Sequence, residues 1–341
     1  MGKQTIKKRS RRTINLALQG GGAHGAFTWG VLDALLEDGR IAFEASTSAS
    51  AGSMNAVVLA HGLTEGGPDG ARQSLHDFWE KISSASGYMH EVGRAMFGMD
   101  ITPVFAEVMF DAVSRFTSPY HFNPLNYNPL RTVLEELVDF ERLQRECALK
   151  LYLSATNVRT GKIRVFQDKD VSIDAVLASA CLPHVFQAVE IDGEAYWDGG
   201  YMGNPPIYPV IYNSKSSDIL IVHINPLERQ EVPRDAASIM DRVNEISFNS
   251  SLMREMRAIA FVTDLIERKQ IKGRALRKMY IHAVEGDKVM GELGLSSKMN
   301  PEWSFLQNLR DEGIASARTW LATHFKDLGR TSSVDIVAKY L

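Results

Sequence analysis

Between Ile41 and Val58 the sequence IAFEASTSASAGSMNAVV passes from a strand-like run to a helical one across a turn built only from Ser, Ala and Gly. Ser48, Ala49, Ser50, Ala51 and Gly52 spell S-x-S-x-G. That is one residue away from the G-x-S-x-G elbow, which holds a serine on a sharp strand-to-helix turn. Small neighbours let the backbone fold back, so a serine Oγ stands clear of the sheet edge, near N–H groups that open a helix. Ser50 is the candidate nucleophile. The same residue also reads as a plain N-cap or turn serine ahead of the helix at Met54.

A second strand, turn and helix precede it. Ile14 to Gln19 is a short apolar run that enters Gly20, Gly21, Gly22, Ala23, His24 and Gly25, and AFTWGVLDALLEDG then has helical spacing. Glycines without Cβ atoms let several N–H groups converge on one developing negative charge, as an oxyanion hole requires. The same loop fits G-x-G-x-x-G, and Glu44 stands where a dinucleotide fold places its ribose-binding acid. The glycines alone leave both readings open. His24, with no acid partner evident in sequence, is assigned a structural or electrostatic role.

Further along, Gly62 to Gly70 reads as a glycine-rich break before a helix over Arg72 to Ile82. Between Ser83 and Asn128, Met89, Met96, Phe97, Met99, Phe105, Met109, Phe110, Phe116 and Phe122 form a soft apolar set, suited to core packing or to an acyl-chain groove. Asn128 and Pro129 open a helix expected to run to about Phe140. Strands are expected over Ala148 to Val158 and in KIRVFQ, a helix over Asp174 to Ala180, and a hairpin turning at Asp192 and Gly193 whose second strand delivers Asp198, Gly199 and Gly200. ILIVHI, from Ile219 to Ile224, reads as a buried parallel strand. After Pro226 and Pro233, a long helix is expected over Ser238 to Ile271, a strand in KMYIHAVEG, and a helix capped by Asn300 and Pro301. Alternating strands and helices make this an α/β protein.

With 341 residues, 45% of them hydrophobic, the chain suffices for one large domain with an extension, or for two domains. A net charge of -3 gives no basic field for nucleic acid. Cys147 and Cys181 are too few for a disulfide framework and lack zinc-ligand spacing, which points to a reducing, cytoplasmic setting and no structural metal. The opening MGKQTIKKRSRR has no apolar segment behind it to act as a secretion signal, and Ile6 breaks the myristoylation pattern at Gly2. It reads as a flexible basic tail over residues 1–13, with at most a weak attraction to an anionic membrane surface.

A serine hydroxyl needs a base. His223, His282 or His324 would complete a Ser/His/Asp α/β-hydrolase, whereas Asp198, at a strand end before two glycines, would serve as a carboxylate base directly. Four segments together resemble the patatin-like phospholipase family: QGGGAHGAF its glycine-rich oxyanion motif, SASAGSMNA its serine elbow, ASACLP the element between, and WDGG its Asp-Gly-Gly/Ala motif. The resemblance covers about Ile14 to Pro226, giving a catalytic domain over 14–226 and a mostly helical extension over 227–341. It implies a three-layer α/β/α sandwich with a mainly parallel sheet, hydrolysing lipid or phospholipid acyl esters by a Ser50–Asp198 dyad with no metal or cofactor. Gly20, Gly21, Gly22 and Ala23 would hold the oxyanion, with Ser48, Gly52, Gly25, Gly199 and Gly200 as support. It also implies peripheral contact with a membrane, and says nothing of oligomeric state. The chain departs from the family at two places. Ser48 replaces the first elbow glycine, a strained substitution if that position takes a positive φ, and His24 replaces a common Arg or Lys, making the loop's charge depend on pH. A register with Ser48 as nucleophile remains open, but only Ser50 keeps Gly52 and the following Met-Asn-Ala in step with the family.

Overall fold

In a computed structural model, residues 11–97, 117–270, 276–294 and 296–341 are described. The soft apolar set expected between Met89 and Phe116 lies outside the described residues or on described backbone whose side chains are not described. Chain order is β1 (Arg12–Leu18), α1 (Gly25–Asp38), β2 (Ile41–Ser48), α2 (Ala51–Phe97), α3 (Pro129–Leu137), α4 (Phe140–Glu146), β3 (Lys150–Asn157), β4 (Ile163–Gln167), α5 (Ile173–Ser179), β5 (Val189–Ile191), β6 (Glu194–Asp198), α6 (Tyr208–Asn213), β7 (Asp218–His223), α7 (Ala236–Glu267), β8 (Tyr280–Glu285), α8 (Trp303–His324) and α9 (Ile336–Tyr340).

One sheet runs β5-β6-β3-β2-β1-β7-β8, with β4 also paired to β3. Its centre, β3 to β8, is parallel, and β4, β5 and β6 add antiparallel pairs at one side. β7 is buried at every position, as a strand covered on both faces must be, and this explains its unbroken apolar run. Alternate residues serve two cores. Leu16, Leu18, Leu220 and Val222 pack with α1, α2 and α8, whereas Ala17, Ile219, Ile221 and Ile281 pack with Leu252, Met256 and Ile259 of α7 and Tyr340 of α9. The molecule is thus an α/β/α sandwich with a mainly parallel sheet, and its later residues are largely helical.

The part beyond residue 226 is joined to that sheet by β8, and α8 lies against α1. Glycines permit the α1–α8 crossing. A Cβ on Gly30 would lie 1.9 Å from Arg310 O, and one on Gly313 would lie 2.1 Å from Phe27 O. Asp33 of α1, only 4% exposed, accepts from Arg72 of α2 at 2.5 Å and Arg310 of α8 at 2.6 Å, so three helices share one buried carboxylate. No helix of the described residues is long and apolar enough to cross a membrane.

Several boundaries differ from expectation. The break at Gly62 to Gly70 narrows to Gly66 and Gly67, whose φ/ψ leave the helical region, while Gly62 and Gly70 let the two arms of α2 touch. The helix opened by Asn128 stops at Leu137, because Val138 is extended and Asp139 caps a new helix by accepting from Arg142 N–H. Asn300 bonds Glu302 N–H, and α8 starts only at Trp303.

Candidate active site

β2 ends at Ser48 and α2 starts at Ala51, so the chain turns within two residues. Ser50 carries the left-handed backbone, at φ 53, which costs a non-glycine residue about 1 kcal/mol or more. Surrounding hydrogen bonds hold it there. Its N–H donates to Ser179 Oγ of α5 at 3.0 Å, its carbonyl accepts from Ser53 N–H at 2.8 Å, and Gly52 N–H donates to Ala49 O at 2.9 Å. Strain therefore falls on Ser50, and Ser48 does not take the positive φ that would have strained it. Ser48 is an ordinary strand residue, fully buried, with its Oγ 3.1 Å from Ser53 Oγ. Gly52 packs under β1, where a Cβ would lie 2.3 Å from Leu18 O.

Strand register brings Asp198 to the same sheet edge. Ser48 is level with Leu153 of β3, and two residues further along β3 Ala155 is level with Asp198. The aspartate is fully buried. Its Oδ1 accepts from Gly200 N–H at 2.7 Å, while Oδ2 has no partner that meets both distance and angle. Burial raises its pKa to about 6; the Ser50 hydroxyl, the Gly200 N–H and the Lys298 charge each pull it part of the way back. The Ser50 hydroxyl thus faces the carboxyl without a fully aligned hydrogen bond. Gly199 and Gly200 allow close packing there: a Cβ would meet Ser154 O at 2.1 Å in one case and Phe248 Cε1 at 2.4 Å in the other.

The glycine loop lies across the elbow, with a Cβ on Gly20 falling 2.6 Å from Ser50 Cβ. Gly20 N–H is already committed, donating to Asn204 Oδ1 at 2.6 Å, and Gly20 O accepts from Asn225 Nδ2 at 2.7 Å. Among the described residues the N–H groups of Gly21 and Gly22 have no acceptor. Ala23 is half-buried in the single 3₁₀ turn Gly22–His24, and Gly25 opens α1, where a Cβ would lie 2.8 Å from Ala51 Cβ. Beneath the loop Gln19 Oε1 accepts from the N–H groups of Ile224 and Asn225 at 3.0 and 3.1 Å, and its Nε2 donates to Asn249 Oδ1 at 3.1 Å. Each amide in this buried set is paired, which fixes the loop.

His24 is buried, with Nε2 2.7 Å from Ser297 Oγ, and burial followed by the Lys298 charge lowers its pKa to about 3. It is neutral near pH 7, so the loop's charge does not follow its titration as expected. The other histidines sit elsewhere: His223 bonds Tyr340 at 2.7 Å, His282 bonds Asp218 at 3.0 Å, and His324 bonds Asp327 at 2.9 Å. Glu44 accepts from the N–H groups of Lys215 and Ser216 at 2.7 and 2.8 Å, so it tethers the chain ahead of β7 and not a ribose. Among the described residues His76, Asp77 and Glu80 are the group that could gather around a metal, with donor atoms within 4.8 Å of one another; on α2, His76 and Asp77 are half-buried and Glu80 is exposed.

Packing also draws in Ser179, Asn204, Asn225, Phe248, Asn249 and Lys298, for which the sequence carries little signal. Of these, Ser179 alone falls in one of the four family-like segments, ASACLP.

No curated protein matches the chain. Among solved structures it is similar to VipD from Legionella pneumophila, at 17% identity and a TM-score of 0.43 over 91% of this chain and 67% of that one. It is also similar to a chain of the ExoU–SpcU complex from the type III secretion system of Pseudomonas aeruginosa, at 18% identity and a TM-score of 0.31 over 97% of this chain and 75% of that one. The family model for patatin-like phospholipase matches residues 16–211, which takes in the glycine loop, the elbow and Asp198. With more than half of its length matched, the chain belongs to the patatin-like phospholipase family.

Proposed function

We propose that this protein hydrolyses lipid acyl esters with Ser50 as nucleophile and Asp198 as its base. Family membership supports the reaction class. The observation that carries the residue assignment is the meeting of Ser50, on a left-handed elbow, with a buried carboxyl whose Oδ2 has no other well-formed partner.

In this reading Ser50 Oγ attacks the acyl carbonyl carbon while its proton passes to Asp198. The carbonyl oxygen takes up the negative charge and accepts from the free N–H groups of Gly21 and Gly22. Collapse breaks the ester C–O bond, and the departing alcohol leaves with the proton held by Asp198. Water then gives a proton to Asp198 and attacks the acyl-serine, and the fatty acid departs as Ser50 regains its proton. Residues 14–226 carry these groups, and the 227–341 extension adds Phe248, Asn249 and Lys298 around them. Tyr201 and Met202, just past Asp198, are 38% and 41% exposed and give a lipid surface an apolar edge to meet.

The test is fatty-acid release from phosphatidylcholine–detergent micelles. The wild type is expected to release acid, with S50A and D198N each slower by about 1,000-fold or more while folded. A wild type silent on phospholipid and neutral acyl esters, or a fully active D198N, contradicts the proposal.

A further inference from the structure

Lys298 lies beyond the family match yet stands at the site. Its carbonyl presses on the glycine loop, where a Cβ on Gly22 would lie 2.2 Å from Lys298 O. Its ammonium donates to Asn225 Oδ1 at 2.8 Å and Asn244 Oδ1 at 3.3 Å and lies 5.7 Å from the centre of the Phe248 ring. Asn225 in turn holds Gly20 O, and Phe248 covers Gly200 next to Asp198. One side chain therefore touches the supports of both the loop and the base.

The charge on Lys298 is not neutralised by direct contact. Both hydrogen bonds go to neutral amides, and among the described residues the ammonium makes no ion pair. The facing groups are Asp241 and Glu245 of α7, Asp198 at the end of β6, Arg229 before α7, and the neutral His24. Glu245 is bonded instead by Arg229 at 2.5 Å and Arg242 at 3.1 Å. Lys298 is half-buried, and an ammonium partly withdrawn from water acts on nearby charge more strongly than an exposed one, because less water screens it.

We infer, resting on the Ser50–Asp198 reading, that Lys298 is a positioning residue for hydrolysis: it clamps the glycine loop through Asn225 and holds a positive field over Asp198 and the forming oxyanion. That field helps keep Asp198 ionised. Burial lowers the pKa of Lys298 itself to about 8, so the protein loses the field at mildly alkaline pH. Arginine keeps the charge throughout that range, whereas methionine keeps only the bulk.

The test is the pH profile of kcat/KM on a water-soluble acyl ester for wild type, K298R and K298M, with folding checked by circular dichroism. The wild type is expected to lose activity above about pH 8. K298R is expected to stay active with that limb moved up by at least one pH unit, by the persistence of the guanidinium charge. K298M is expected to lose about 10-fold or more in kcat/KM, with its acid limb moved up by about half a pH unit, as removal of a nearby cation requires. A wild-type alkaline limb retained in K298R contradicts the inference even if K298M does not fold. Turnover with unchanged profiles overturns this inference alone; a wild type without serine-dependent turnover overturns the Ser50–Asp198 reading and this inference with it.

Discussion

The Ser50 N–H donates to the Ser179 hydroxyl at 3.0 Å, so the strained turn is held by a residue 129 positions away. Ser179 also lies 2.8 Å from Ser53 Oγ, which meets Ser48 Oγ. The serine-rich spelling of the elbow therefore has a structural reason. Ser48 and Ser53 join Ser179 in a buried hydroxyl chain under the turn, and Ser50 is left to face Asp198.

Removing the Ser179 hydroxyl leaves a buried N–H without its acceptor. S179A is expected to lose about 1–3 kcal/mol of stability in urea unfolding and to lower kcat more than KM, because the elbow relaxes. Unchanged stability and kcat contradict this role.

The raised pKa of Asp198 sets two pH dependences. Activity needs the carboxylate, so kcat/KM is expected to rise through about pH 6, well above the ordinary aspartate value of 3.8. Stability runs the other way. Between pH 3.8 and about 6 the unfolded chain gives up this proton while the folded chain keeps it, so stability falls with rising pH. The penalty levels off above about pH 6, on the order of 3 kcal/mol. D198N, neutral throughout, is expected to lack this decline while losing turnover, as urea titrations at pH 4 and 7 would register.

Gly52 has backbone oxygen on two sides: a methyl group added there would lie 2.3 Å from Leu18 O and 2.8 Å from Gln19 O. G52A is expected to cost about 3 kcal/mol in thermal unfolding, since backbone cannot move aside cheaply. At Gly66 nothing lies within 4 Å, and G66A is expected to change stability by less than about 1 kcal/mol.

None of His223, His282 and His324 hydrogen-bonds Ser50. H324A is expected to keep turnover within about twofold. H282N is expected to lower the melting temperature by breaking the contact with Asp218, yet to leave the turnover of folded protein nearly unchanged. A large loss of turnover in folded H282N or H324A would favour a Ser/His/Asp mechanism.

What is legible in the sequence is local. Strand, turn and helix at Ile41 to Val58 follow from a change of period across small residues, and the Asp192–Gly193 hairpin follows from two positive-φ positions, at 54° and 76°. The position of left-handed strain is not legible, because a serine in that conformation gives no signal by itself; only Ser179 and the helix start reveal why Ser50 takes it. The end of α3 is hidden because Asp139 competes as a new cap within an otherwise helical pattern. Most hidden are Asn249 and Lys298, whose place at the site is set by the packing of α7 and of the turn after β8. No local spacing encodes such contacts.

In the proposed mechanism Asp198 activates Ser50, and labelling with an alkyl fluorophosphonate followed by peptide mass mapping tests that relationship most directly. The expected result is one modified residue, Ser50, with the label lost in folded D198N. A label on Ser48, a label on Ser50 that persists at full rate in D198N, or folded wild-type protein that takes no label contradicts the mechanism.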